Sequence, residues 1–101
     1  MKHLSEKELA AIRAVCERRH VRNLYLFGSV LTERFNSESD IDFLVELEDI
    51  EPEDYADNYF DLCDDLESLL GRKVDVVTLK SVRNPYFKAS VFKSRQLVYS
   101  A

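Results

Sequence analysis

Apolar residues recur along this chain with two periods, and the switches between them divide it into elements. Leu9, Ile12, Val15 and Cys16 return every three or four residues, the spacing of one helix face. Ser5, with Glu8 three residues on, forms a capping box ahead of that stretch, and Leu4 and Leu9 are placed for the accompanying hydrophobic staple. Arg18, Arg19 and His20 crowd the last turn, where positive charge suits the helix dipole. A first helix is predicted over residues 6–19. The run from Asn23 to Phe27 then reads as a buried strand that stops at Gly28-Ser29, with a short helix over residues 30–33 and a polar loop from Phe35 to Ser39. From Asp40 to Leu47 the period drops to two. Ile41, Phe43, Val45 and Leu47 alternate with Asp40, Asp42, Leu44 and Glu46, so one face of this strand is core and the other begins with two acids.

Glu51-Pro52-Glu53-Asp54 opens a second helix, with proline in the first turn and acids at the positive dipole end. Tyr55, Tyr59, Leu62, Cys63, Leu66, Leu69 and Leu70 form its apolar stripe, and Gly71 stops it. Residues 72–78 read as a third strand, Asn84-Pro85 starts a final helix through about Lys93, and Gln96 to Tyr99 is a short extended tail. The order predicts one compact α/β domain over residues 1–101, with helices over a small mixed sheet.

Composition narrows the function classes. A chain of 101 residues supports one core. No apolar run approaches the roughly 18 residues of a membrane helix, and Met1 to Glu6 lacks the apolar stretch of a signal peptide. Cys16 and Cys63 sit at helical spacing among apolar residues and read as buried, reduced thiols. A cytoplasmic location is expected. The net charge of −5 argues against a dedicated nucleic-acid binder, which needs a basic face for phosphates. Carboxylates cluster from Glu46 to Asp65 and cations near both ends, which suits a basic partner protein.

The candidate chemistry lies at Gly28-Ser29 and, after ten intervening residues, at Asp40-Ile41-Asp42. Side chains at i and i+2 of a strand share a face, so Asp40 and Asp42 present two carboxylates together. Mg²⁺ takes such oxygen ligands, usually one or two carboxylates plus substrate phosphates. The Gly-Ser turn offers backbone N–H groups and a hydroxyl to a phosphate. Asp75, alone in the apolar run Val74-Asp75-Val76-Val77, is costly unless paired or metal-bound. If its strand lies beside that of Asp40 and Asp42, three carboxylates converge and two metals fit between them. The plainer reading of Asp75 is an edge-strand acid facing water, and that of Gly28-Ser29 an ordinary turn. His3 and His20 read as surface residues. Arg72, Lys73, Arg83 and Lys88 are candidate contacts for a triphosphate, but each reads first as a solvated charge.

Gly28, Ser29, Asp40 and Asp42 together match the GS-x10-D-x-D motif of the polymerase-β-like nucleotidyltransferase superfamily. From Leu24 to Tyr99 the chain resembles its minimal nucleotidyltransferase (MNT) branch, the antitoxins paired with HEPN-domain toxins. The resemblance implies a nucleotidyltransferase palm, catalytic and metal-binding roles for Asp40, Asp42 and Asp75, nucleotide binding at Gly28 and Ser29, and Mg²⁺ as cofactor. It implies transfer of AMP from ATP to a hydroxyl, a tyrosine of a HEPN toxin, within a hetero-oligomer. One segment departs from the pattern. Where the family commonly reads Gly-Ser-Arg-Ala-Arg-Gly, this chain has Gly28-Ser29-Val30-Leu31-Thr32-Glu33, without the second glycine, and Arg34 follows as a replacement phosphate contact. Two other readings stay open: a binding module that neutralises a partner by occlusion, and a nucleotidyltransferase for small molecules.

Overall fold

The structure, a computed structural model, describes residues 3–101. Met1 and Lys2, part of the segment read for a leader, lie outside the described residues. The elements are α1 (Glu6–Arg18), β1 (Val21–Phe27), a 3-10 turn (Gly28–Leu31), β2 (Ile41–Leu47), α2 (Pro52–Leu70), β3 (Val74–Thr78), a second 3-10 turn (Leu79–Ser81), α3 (Pro85–Ser94) and β4 (Gln96–Ser100). The strands form one mixed sheet in the order β3-β2-β1-β4. β1 pairs antiparallel with β2 and with β4, whereas β2 and β3 run parallel.

Local signals set the element ends. Both halves of the Ser5–Glu8 capping box form, the Ser5 hydroxyl accepting from Glu8 N–H at 3.1 Å and the Glu8 carboxylate from Ser5 N–H at 3.0 Å. Gly71 ends α2 at φ 64°, in the left-handed region that only glycine enters without cost. Asn84 caps α3 by accepting from Tyr86 and Phe87 N–H.

α1 and α2 cover one face of the sheet. Ile12 and Cys16 from α1, Leu62 and Leu66 from α2, and Leu24, Leu26, Ile41, Phe43 and Val45 from the central strands are all buried there. Asp65 ties the two helices, accepting from Arg19 Nε at 2.7 Å with Arg18 at 3.5 Å. The Arg19 hydrogen bond, with both arginine charges, holds the Asp65 carboxyl below its ordinary range. Tyr59 reaches from α2 to the edge strand, donating its hydroxyl to Val76 O at 2.5 Å. Cys16 and Cys63 are free thiols, and burial pushes that of Cys16 up to about 12. Among the described residues no helix is long and apolar enough to cross a membrane.

The opposite face is smaller and carries α3. Val91 packs on Phe27 and Leu44, flanked by Tyr25, Val77, Leu79 and Val82. Phe87 meets Phe27 edge-on at 5.9 Å, and the Arg95 guanidinium lies 4.3 Å over the Tyr25 ring. Leu44, expected beside the acids on the polar face, is therefore buried.

Three expectations change. The C-terminal tail is a sheet strand: β4 pairs Asn23 with Ser100 and Tyr25 with Leu97, and Arg13 Nε donates to Val98 O at 3.1 Å. β1 begins at Val21 because the register shifts between Val21 and Asn23, which turns Val21 inward. His3 is half-buried rather than frayed, its Nε2 2.8 Å from Thr32 O and its ring 4.9 Å from Phe35. His20 is exposed, at φ 58° between α1 and β1.

Leu62 is fully buried where α2 meets the sheet. Leu62→Ala is expected to cost about 2–5 kcal/mol of unfolding free energy, from lost transfer energy and the cavity left behind. A denaturant titration measures it.

Candidate active site

The parallel register of β2 and β3 sets Asp42 opposite Asp75, with Leu44 opposite Val77 two residues on. On its other side Asp42 pairs with Phe27, the last residue of β1. These pairings place the ends of β1, β2 and β3 together, on the sheet face that α3 only partly covers. Asp40 stands just before β2, outside the strand expected to include it, and is exposed. Asp42 is half-buried and Asp75 is exposed, on an edge strand as the plainer reading held.

Burial, and after it the charges of Asp75 and Asp40, pushes the Asp42 carboxyl above its ordinary range. Burial disfavours the charged form, and the two neighbouring anions disfavour it further. Between them the three acids thus hold an excess of negative charge that a cation or a proton would relieve.

Gly28 makes this arrangement possible. Its φ is 77°, and a Cβ added there would collide with the Asp42 Oδ2 atom and lie 3.3 Å from Asp42 Cγ. Only glycine allows the turn to pass this close over the carboxylate. Ser29 follows, its carbonyl accepting from Thr32 N–H and Oγ at 2.9 and 2.8 Å. Gly28, Ser29, Leu31, Thr32, Arg34 and Ser94 line an open cleft of about 440 Å³. Arg34, the replacement cation anticipated after the missing motif positions, is thus beside Ser29. Ser94, from the last turn of α3, was not anticipated. It lies far from the motif in the chain and no local pattern marks it. Arg72 is engaged with backbone carbonyls and Phe35, and Lys88 lies 5.6 Å from the Phe92 ring centre.

The donor set suits a hard divalent cation. It is all oxygen, and the charges acting on Asp42 are the like charges of Asp75 and Asp40. Among the described residues no group of three His, Cys, Asp or Glu side chains is spaced to enclose a metal unaided.

A nucleotidyltransferase-domain family model matches residues 9–98, which take in β1, β2, β3, the start of β4 and the three acids Asp40, Asp42 and Asp75. The chain belongs to the nucleotidyltransferase domain family. Its relatives include two proteins of Methanocaldococcus jannaschii that carry the provisional name protein adenylyltransferase. One is 39% identical over 79 residues, covering 78% of this chain and 76% of its own. The other is 36% identical over 109 residues, covering 98% and 99%. Among solved structures, a minimal nucleotidyltransferase superposes with TM-score 0.75 at 27% identity, covering 89% of this chain and 88% of its own. The tri-AMPylated Shewanella oneidensis HEPN toxin in complex with MNT antitoxin gives TM-score 0.68 at 21% identity, covering 97% and 74%. A toxin–antitoxin structure with AMP-PNP gives 0.71 at 23%, covering 97% and 75%. These last two likenesses establish the shared fold, the compact α/β palm with a mixed sheet.

The raised Asp42 pKa fixes the sign of a stability effect. A folded-state pKa above the unfolded value adds stability below the unfolded pKa, and that contribution is lost as pH rises through the folded value. At neutral pH the ionised Asp42 therefore costs the nucleotidyltransferase domain stability. Asp42→Asn is expected to raise the melting temperature at pH 7 without divalent cations. The advantage shrinks as pH falls through the carboxylate range, where the wild-type group is protonated. Melting curves across pH measure both.

Proposed function

We propose that this domain transfers AMP from ATP to a protein hydroxyl, a tyrosine of a HEPN-domain partner, and so acts as the antitoxin of the pair. The observation that carries the reading is the convergence of Asp42, Asp75 and the Gly28-Ser29 turn at one end of three adjacent strands. The curated relatives named as protein adenylyltransferases and the fold shared with MNT antitoxins support it.

In this reading Gly28 and Ser29 receive the terminal phosphates, with Arg34 lining the same cleft as a cation. Asp40, Asp42 and Asp75 would hold Mg²⁺, as two ions, together with phosphate oxygens. When bound, the metal supplies charge neutralisation at the reacting phosphate. Asp75, exposed on the edge strand, accepts the proton of the incoming hydroxyl. The hydroxyl oxygen forms a bond to the α-phosphorus, the α–β bridging bond breaks, and pyrophosphate leaves with that electron pair. Most of the rate comes from positioning and from the fixed charges around the phosphates.

The partner's place follows from what α3 exposes. Tyr55 and Tyr59 pack against the core, whereas Tyr86 is 86% exposed, and Phe87, Phe92 and Leu97 are exposed with it. From residue 79 onward the chain carries Lys80, Arg83, Lys88, Lys93 and Arg95 and no acid. Aromatics with arginine are the composition of an interface centre. This face adjoins the acids, so a partner seated there brings its hydroxyl to them.

Glu33, at the place of the family's second glycine, favours one rival reading, a module that binds and occludes its partner without chemistry. The test is incubation with the product of the neighbouring gene, ATP and Mg²⁺, followed by intact-mass measurement. Whole AMP units gained by the partner, and absent with Asp40→Ala, are expected. Tight binding with no mass gain under any nucleotide would replace the adenylyltransferase reading with the occlusion one.

A further inference from the structure

Asp40 precedes the first ladder residue of β2, so the sheet does not fix it directly. The loop before it, residues 32–39, is folded on itself. Arg34 N–H donates to Thr32 Oγ at 3.1 Å, Glu38 N–H to Asn36 Oδ1 at 2.9 Å, and Asn36 N–H to Ser39 Oγ at 3.1 Å. Ser39 N–H returns to Asn36 O at 3.1 Å. A loop closed in this way moves as a unit, and its position depends on what anchors it to the body of the domain.

Thr32 ties its start to Ser29 O, and the anchor toward its Asp40 end is Arg72, three residues before Asp75. Its Nη1 donates to Asn36 O at 3.0 Å and to Ser39 O at 2.9 Å, and its guanidinium lies 4.4 Å over the Phe35 ring. The Ser39 carbonyl belongs to the peptide unit that bears the Asp40 nitrogen. On its other side Phe35 meets His3, whose ring bonds Thr32 O. The ladder begins only afterwards, where Ile41 N–H donates to Lys73 O at 3.2 Å. Charged donors give the stronger hydrogen bonds, and the planar guanidinium combines carbonyl bonding with ring stacking as no other side chain does.

We infer that Arg72 is a positioning residue: it holds the peptide before Asp40 against the start of β3, and so sets Asp40 relative to Asp75. This assigns to Arg72 a role other than the solvated charge or the triphosphate contact between which its sequence reading is divided. The inference rests on the reading of Asp40 as a metal ligand. Residues that orient metal ligands typically cost 10–100-fold in metal affinity when lost.

The test compares wild type, Arg72→Met and Arg72→Lys in two measurements. Isothermal titration gives ATP affinity with Mg²⁺ and with EDTA, and hydrogen exchange gives protection along the chain. Arg72→Met keeps much of the stem and removes the donors. It is expected to lower the Mg²⁺-dependent part of ATP affinity by about tenfold, the lower end of that range, while affinity in EDTA holds. Exchange should rise over residues 33–42 and stay unchanged in α1 and β1. Arg72→Lys, which also serves if Arg72→Met does not fold, should fall between the two. Unchanged Mg²⁺-dependent affinity in the variants overturns the inference alone. So does a rise in exchange throughout the domain, which would make Arg72 a general structural residue. If wild-type affinity gains nothing from Mg²⁺, the metal-site reading itself fails, and this inference with it.

Discussion

Backbone pairing forces two like charges together in this domain, and much of the rest is arranged around that cost. The β2–β3 register sets Asp42 opposite Asp75, and β1 brings the Gly28 turn over the same carboxylate. A hydrophobic pair at these positions would stabilise the sheet, as Leu44 and Val77 do one step along. The acids do the opposite, and the raised Asp42 pKa records it. Such strain is sustainable because the opposite sheet face is well filled: α1 and α2 bury the alternate residues of every strand there. Natural sites often sacrifice stability in this way to retain a charge distribution that only a ligand satisfies.

The sheet also divides the chain's electrostatics. α2, packed on the core face, is rich in acids, and Asp65 draws Arg18 and Arg19 of α1 toward it. From residue 79 onward the charged side chains are all cations, and α3 of this segment lies on the sheet face of Asp42 and Asp75. Net charge alone conceals this segregation, since a value of −5 averages a strongly acidic middle with a basic end. On the proposed reading, a polyanionic nucleotide and a protein acceptor would both approach this basic end.

Features governed by near neighbours were legible in the sequence. The Ser5–Glu8 box, the Gly71 stop and the core face of β2, with Ile41, Phe43, Val45 and Leu47 buried, each depend on contacts or periodicity within a few residues, and each formed as read. The glycine–serine turn and the acids were legible through their spacing, and the structure shows why Gly28 matters: a side chain would strike Asp42. Long-range pairing was not legible. Nothing in Gln96–Tyr99 announces that it lies along β1, far earlier in the chain. The burial of Leu44 escaped notice for the same reason, since it depends on Val91 of a helix with a weak apolar stripe. Arg72 read as one more surface cation because its partners are carbonyl oxygens, which leave no trace in side-chain identity.

The central claim is that Asp42 is held in an uncompensated field set by burial and by its neighbouring acids. Carbon-13 NMR titration of the aspartate carboxyls in the metal-free protein tests it most directly. Asp42 should titrate above the ordinary carboxylate range, and Asp75→Asn should bring it down. Addition of Mg²⁺ with ATP should bring it down as well. An Asp42 that titrates in the ordinary range and is indifferent to Asp75→Asn would contradict the account.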